Sequence, residues 1–397
     1  MKILQVNNVY GEKSTGKITE VLHKGILDAG CESLVVFGRG KGAAQKNVIR
    51  LCPEWYGKMN GLFARITGIP YGGCFLSTLR LEKIIEKEKP DIVHLQCING
   101  SFVNIYKLVE WLKKKQIKTV VSLHAEFMYT ANCGYAFECE QWKHGCKNCP
   151  DKKKAVKSWF FDNTGKSWDK MKKAFEDFES CIICPVSPWT ESRAKESDIL
   201  KERKFETVLN GIDAGIFCGA QNARTEENTV LNVTAHFGND ENDLKGGRYI
   251  IELAKRIPEA TFKVAGNSDA VENLPENVIL LGNIDNQNEL AKLYQNAKIS
   301  VLVSKKETFS MPVAESLCCG TPVVGFEAGA PEQIAIGDYS EFVEQGDIDA
   351  LEAAVRSWLG KSIAKEKIAF EAREKYSAET MVKRFLEVYR RILWNFE

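Results

Sequence analysis

Two glutamates close off the stretch ETFSMPVAE, residues 307–315, where the apolar run ISVLV hands over to a helical pattern that stops near Gly320. Pro312 suits the first turn of a helix, because the N–H it lacks would be unpaired there anyway. The amides of Phe309, Ser310 and Met311 then sit at a positive helix end, a ready site for a phosphate or a sugar oxygen. Glu307 precedes the turn and Glu315 lies one turn into the helix, so both carboxylates can face one loop-lined pocket. Ionised carboxylates accept hydrogen bonds and donate none. The pair therefore suits a hydroxyl-rich ligand, with a ribose on one side and a hexose on the other. A plainer reading, acids placed for the helix dipole, would stand if the motif were alone.

It is not alone. DLKGG at 243–247 sets Lys245 before Gly246 and Gly247 at a predicted helix start, offering a charge and close backbone approach to a pyrophosphate. NGID stands at 210–213, and the first strand runs into GEKSTGK, which contains Gly16. That last stretch satisfies the first part of a P-loop, but Ile18 follows where the motif needs a Mg²⁺-binding hydroxyl, which argues against a P-loop NTPase. His124 ends the strand-like TVVSLH, where a histidine serves either chemistry or a backbone hydrogen bond. Cys133, Cys139, Cys146 and Cys149 crowd one glycine-rich polar stretch of about 130–150. Four close thiols in a reducing compartment fit a structural Zn²⁺ ordering a loop that lacks a core, with disulfides or free thiols as the alternatives; no catalytic metal is expected.

The elements that must position these groups alternate along the whole chain. Short apolar runs (KILQVNNV, SLVVFG, DIVHLQ, TVVSLH, CIICPVS, then VLNVTA, TFKVAG, VILLGN, ISVLV, TPVVGF) are separated by helical patterns. Continuously apolar strands with crossover helices make parallel sheets buried on both faces. The alternation restarts after FETVLNGID, and 397 residues suit two cores rather than one. The expected plan is α/β: a doubly wound domain over 1–206, a second over 207–376, and a terminal helix over 377–397 packing back on the first. In open α/β folds ligands bind beyond the carboxyl ends of the strands, so two such domains facing a central cleft would gather their loops around it.

Composition narrows the partners. Lys+Arg 54 against Asp+Glu 53 gives a formal net charge of +1, and nothing global argues for nucleic acid. The charge is unevenly placed: residues 1–200 hold 31 basic and 22 acidic side chains, the remainder 23 and 31. No leader-like segment or long apolar run appears, so a cytoplasmic protein is expected, peripheral on the inner membrane surface. Lysines gather in KLVEWLKKKQIK and from Lys152 to Lys173, where Trp159, Phe160 and Phe161 interleave with them, which suits contact with an anionic membrane.

KETFSMPVAESLCCGTPVVGFEAGAPEQI resembles the donor-binding signature of family 4 of the retaining glycosyltransferases, with Glu307 and Glu315 as its glutamate pair. NGID, DLKGG and the early glycine loop match that family in order. The resemblance implies the GT-B fold of two Rossmann-like domains, with a nucleotide sugar held mainly by the second. It makes Glu315 the acceptor for the ribose hydroxyls and Glu307 a contact to the transferred sugar. Lys245 and Gly246 would meet the donor phosphates, Gly16 would face them from the opposite wall, and His124 would lie near the reacting sugar. The implied activity is transfer from a nucleotide-sugar donor, expected to be UDP-linked, to a saccharide or lipid-linked acceptor in building a capsule or exopolysaccharide. A similar Cys-rich insertion occurs in some polysaccharide-building members. One departure stands out: relatives place an arginine beside the phosphate lysine, yet AHFGNDENDLKGG has none. The rival readings are a GT-B epimerase or phosphorylase, or a non-enzymatic zinc-stabilised scaffold.

Overall fold

The structure, a computed structural model, describes residues 1–40, 45–219, 225–240, 243–269, 271 and 273–394. Residues 241–242, inside the loop before Lys245, and 395–397, the end of the expected terminal helix, lie outside the described residues. The chain divides into two compact units, Met1–Leu209 with Met381–Glu397, and Asn210–Thr380.

The first unit carries strands β1 (Lys2–Asn7), β2 (Glu32–Phe37), β3 (Val48–Arg50), β4 (Ile92–Leu95), β5 (Thr119–Leu123), β6 (Cys181–Pro185) and β7 (Lys204–Phe205) in one sheet, ordered β3-β2-β1-β4-β5-β6-β7. All its paired strands run parallel. The middle strands are apolar on both faces: Ile3, Leu4, Val36, Val93, Val120 and Val121 are fully buried beneath covering helices. That is the arrangement a parallel sheet requires, since its crossovers place helices on both sides.

The second unit repeats the plan with β8 (Glu226–Phe237), β9 (Thr261–Ser268), β10 (Val278–Gly282), β11 (Ala297–Leu302), β12 (Val323–Phe326) and β13 (Ser340–Val343), ordered β10-β9-β8-β11-β12-β13 and again parallel. In each sheet the winding reverses beside the unit's first strand, between β1 and β4 and between β8 and β11. Loops leaving those strands diverge there, opening a crevice at the strand ends.

The terminal helix Ala378–Trp394 buries Met381, Phe385, Val388, Tyr389 and Ile392 along one face, the spacing of an amphipathic helix. Its Tyr389 hydroxyl lies 2.7 Å from Nδ1 of His94 on β4.

Candidate active site

The loops after β8 and β11 bring together residues 62 positions apart. Lys245 Nζ lies 2.7 Å from Glu307 Oε1, with their side chains 30% and 12% exposed. The sequence explains each placement. Asp243 accepts hydrogen bonds from the Lys245 amide (3.0 Å) and, more weakly, from the Gly247 amide (3.4 Å). Gly246 is left-handed (φ +69), and a Cβ on it would meet the Val303 carbonyl oxygen at 2.1 Å; one on Gly247 would meet the Gly238 oxygen at 2.4 Å. The paired glycines are therefore obligatory for docking the start of the helix Gly247–Arg256 against the ends of β8 and β11. Lys305 N, bonded to Leu244 O at 2.9 Å, ties the two loops to each other.

Glu307 is held by its backbone. It forms an isolated parallel bridge with Gly329, its amide donating to Ala328 O (2.9 Å) and its carbonyl accepting from Ala330 N (3.2 Å). The loop it leans on is in turn clamped by Glu332, whose carboxylate accepts from the amides of Ala328 (3.0 Å) and Gly329 (2.8 Å).

The helix Met311–Cys318 starts as expected near Pro312, with two features that propensity does not announce. Ser310, its N-cap residue, is left-handed (φ +77), a conformation that costs a non-glycine residue of order 1–3 kcal/mol. Its hydroxyl is buried and has no hydrogen-bond partner among the described residues. Phe309 is buried beside it, while Met311 is half-buried. One turn on, Glu315 is almost fully buried, and the buried Tyr294 hydroxyl donates to its Oε2 at 3.3 Å. Burial, with Glu315 beside it, raises the Tyr294 pKa well above the usual phenol range, so the phenol stays a neutral donor. A lysine, two carboxylates, a helix start and an unpartnered hydroxyl thus share one strand-to-helix region. Such a set can neutralise phosphate charge and accept from sugar hydroxyls.

In the first unit, Gly16 is buried in the first turn of the helix Lys13–Asp28, and its carbonyl accepts from Gly11 N at 3.1 Å. A Cβ there would meet Val9 Cγ2 at 3.0 Å, a tight approach that a small shift of the valine side chain would relieve. His124 stands just past β5 with Nε2 2.8 Å from Gln96 Oε1, beyond the end of β4. Burial pulls its pKa down to about 4. Behind it runs a buried polar column. Gln96 Nε2 reaches Gln5 Oε1 (3.3 Å), and His94 bridges the Tyr389 hydroxyl and Ser122 Oγ (2.8 Å), its own pKa lowered to about 3 by burial. Sequence reasoning named His124 and missed Gln96, His94, Tyr294 and Asp243. Their signals, a polar residue in or just past an apolar strand (His94, Gln96), a tyrosine inside a helix (Tyr294) and an aspartate in the loop before one (Asp243), are too common to single out.

The cysteine loop is a correction. Among the described residues no group of three or more His, Cys, Asp or Glu side chains is placed to hold a metal ion. The expectation of zinc rested on a loop without a core, and this loop has one: Trp142, Ala136 and Cys146 belong to the main core of the first unit. Cys146 Sγ faces Thr130 O at 4.0 Å, Trp142 Nε1 donates to Cys139 O (2.7 Å), and Trp168 Nε1 donates to Trp142 O (2.8 Å). Burial pushes the Cys146 thiol up to about 12 and Cys133 higher still, keeping both protonated. Apolar packing, not metal, orders the segment.

Residues 221–375 match the family of glycosyl transferases group 1. Over 417 aligned positions, covering 99% of this chain and 100% of the relative, the sequence is 21% identical to a putative colanic acid biosynthesis glycosyl transferase, WcaC, of Escherichia coli strain K12. The chain is a glycosyltransferase. Its fold is GT-B, shared over the full length with sucrose-phosphate synthase from Thermosynechococcus elongatus (TM-score 0.69, 15% identity, all of both chains). Anabaena HepE, solved in complex with UDP, aligns at TM-score 0.65 and 14% identity over 98% of this chain and 100% of its own. The glycosyltransferase moves a sugar from a nucleotide-sugar donor, and the matched family segment contains both loops that bring Lys245 to Glu307.

Proposed function

We propose that the enzyme transfers a hexose, with retention of anomeric configuration, from a UDP-linked donor to a hydroxyl of a growing surface polysaccharide or lipid-linked saccharide at the cytoplasmic face of a membrane. The observation that carries the reading is the Lys245–Glu307 pair beside the start of the helix Met311–Cys318. In this reading Lys245, the Gly246 backbone and the amides of Phe309, Ser310 and Met311 take the donor phosphates. The Ser310 hydroxyl supplies a further hydrogen bond. Glu315, its orientation set by Tyr294, accepts from the ribose hydroxyls, and Glu307 accepts from the transferred hexose while fixing the lysine. Residues 207–376 form the donor domain; 1–206 form the acceptor domain, with Gly16 facing the phosphates and His124, held by Gln96, beside the reacting sugar.

Retention follows if the bond from sugar C1 to the phosphate oxygen breaks while C1 bonds the acceptor oxygen on the same face, the acceptor proton passing to the departing phosphate. No protein nucleophile enters that step. The protein's share is to stabilise charge developing on the pyrophosphate and to align the acceptor. The polysaccharide assignment is supported by the full-length likeness to a colanic acid biosynthesis enzyme, and the UDP assignment by the likeness to HepE, whose structure holds UDP. A thermal-shift screen of nucleotide sugars tests the donor, since a ligand of the folded state raises its melting temperature. NMR of product from an anomerically pure donor tests retention; an inverted product overturns the mechanism and no response to any UDP-sugar overturns the donor.

A further inference from the structure

Two helices of the first unit carry large apolar residues on their outward faces. On Glu54–Thr67 only Tyr56 and Gly57 are buried, whereas Trp55, Met59, Leu62, Phe63 and Ile66, spaced as one stripe, are exposed. On Phe75–Glu88 Ser77, Thr78, Leu81, Glu82 and Ile85 are buried, while Phe75, Leu76 and Leu79 are exposed. The buried hydroxyls are satisfied inside: Ser77 Oγ donates to Phe102 O (2.5 Å), and Thr78 Oγ1 donates to Cys74 O (2.7 Å) while accepting from Asn104 N (2.8 Å). The inward face of Phe75–Glu88 is already filled, Leu81 and Ile85 lying in the core beside the bonded hydroxyls, so the outward apolar residues are additional to the core face.

A third segment joins the first two. Trp159, Phe160 and Phe161 are exposed, the Trp159 amide donates to Arg65 O (2.8 Å), and Asn163 Nδ2 donates to Thr67 O (2.6 Å). The Cys74 amide donates to Asn60 Oδ1 (2.7 Å), tying the start of the second helix to the first. Leu76, Trp55 and Phe160 leave 72%, 64% and 63% of their surface open, far beyond the isolated apolar residues of an ordinary surface. Lys58, Arg65, Lys153 and Lys157 are exposed on or beside these segments against Glu54 and the flanking Asp151 and Asp162, while Arg80 and Lys152 are engaged by the carbonyls of Leu51 (2.5 Å) and Phe160 (3.4 Å).

We infer that this surface, formed by Glu54–Thr67, the first turn of Phe75–Glu88 and the 157–161 loop, seats the enzyme in the interface of an anionic lipid bilayer. Tryptophans and phenylalanines enter the headgroup boundary, and the lysines and arginines meet lipid phosphate. The charge selects this occupant. Pairing the patch with itself in a two-fold dimer would oppose basic residues to basic residues, whereas an anionic surface neutralises them. No described helix is long and apolar enough to cross a membrane, so the contact is with one face. This assignment also relocates the membrane contact expected from sequence. In the 107–118 stretch Lys113 is engaged by the carbonyls of Lys173 (2.8 Å) and Glu176 (2.7 Å), and Lys115 pairs with Glu86 (3.0 Å); only the 152–161 stretch joins the patch.

The inference does not depend on the donor-site assignments. The full chain is floated with vesicles of phosphatidylcholine alone and with vesicles containing phosphatidylglycerol. The expected result is flotation with the anionic vesicles, lowered at least about tenfold in Phe63→Ser/Leu76→Ser and weakened by salt in the parent. Both substitutions replace outward-facing groups; equal melting temperatures and equal transfer to a water-soluble acceptor establish that the variant is folded. Flotation of the variant at the parental level overturns the assignment, as does failure of the parent to float with anionic vesicles. A concentration-dependent dimer that the same variant abolishes would assign the surface to a second copy instead.

Discussion

The strand ends of the two units solve the same placement problem with opposite electrostatics. After β8 and β11 the groups are charged and partly open, Lys245 against Glu307 with Glu315 one turn deeper. After β4 and β5 they are neutral and enclosed: Gln96, His94 and Ser122 are fully buried, and burial holds both histidines below their usual range. A pyrophosphate demands countercharge, and a lysine pre-paired with a carboxylate can supply it without leaving a bare buried cation. An uncharged column needs no such partner, and its polar atoms pair with one another except Gln5 Nε2, which has no hydrogen-bond partner among the described residues.

That contrast can be broken where the expected effect is largest, at the ion pair. Glu307→Ala should lower transfer roughly 10²–10³-fold, yet leave nucleoside diphosphate affinity unchanged or raised, because Lys245 loses the carboxylate that competes for it. Lys245→Ala should weaken diphosphate binding in a salt-sensitive way and leave free nucleoside binding alone. Calorimetry on both variants reads the difference; equal losses of diphosphate affinity would mean the pair acts only as a structural tie. A smaller effect is expected deeper in the same region. Glu315→Ala should weaken nucleoside, nucleoside diphosphate and nucleotide sugar alike, by about 1.5–3 kcal/mol, and Tyr294→Phe by about 0.5–1.5 kcal/mol. Normal nucleoside binding by Glu315→Ala would remove the ribose from that carboxylate.

A separate effect, on stability rather than on binding, belongs to the neutral column. His94 and His124 are held near 3 and 4, and His23 is also lowered by burial, so below pH 6.5 the unfolded chain binds more protons than the folded one. Stability is then fully present above 6.5 and declines as pH falls toward the folded values. The slope is at most about 1.4 kcal/mol per pH unit for each histidine. Urea midpoints at pH 7.0, 6.0 and 5.0, a window above the carboxylate titrations, measure the decline. His124→Gln should flatten its share, and a midpoint independent of pH over that range would mean these histidines are charged in the fold.

Much of this was legible before any coordinates. Runs such as KILQVNNV and TPVVGF carry apolar residues on both faces, as doubly covered parallel strands require, whereas the GG of DLKGG, read as room for a pyrophosphate, is also needed for the close approach to Val303 and Gly238. What escaped was non-local. Nothing in CGYAFECEQWKHGCKNCP says that Trp142 will find Trp168 and Tyr129, which turns a metal-binding pattern into a packed loop. Nor does a serine before Met311 reveal its left-handed backbone, or a histidine in DIVHLQ its partner 295 positions away. Local pattern sets elements; partners across the fold decide what a polar residue is for.

That distant partner has a consequence for the order of synthesis. On the ribosome the β4 strand emerges almost three hundred residues before Tyr389, and the helix that carries Tyr389 completes the same unit. Until that helix arrives, His94 lacks its hydroxyl partner and the face covered by Phe385 and Ile392 stays open. Of the two units, the one whose translation starts earlier closes later, and the second unit can finish folding while the first is still waiting. A nascent chain stalled before Phe385 would leave His94 and the polar column around it uncovered, a target for chaperones rather than a finished domain.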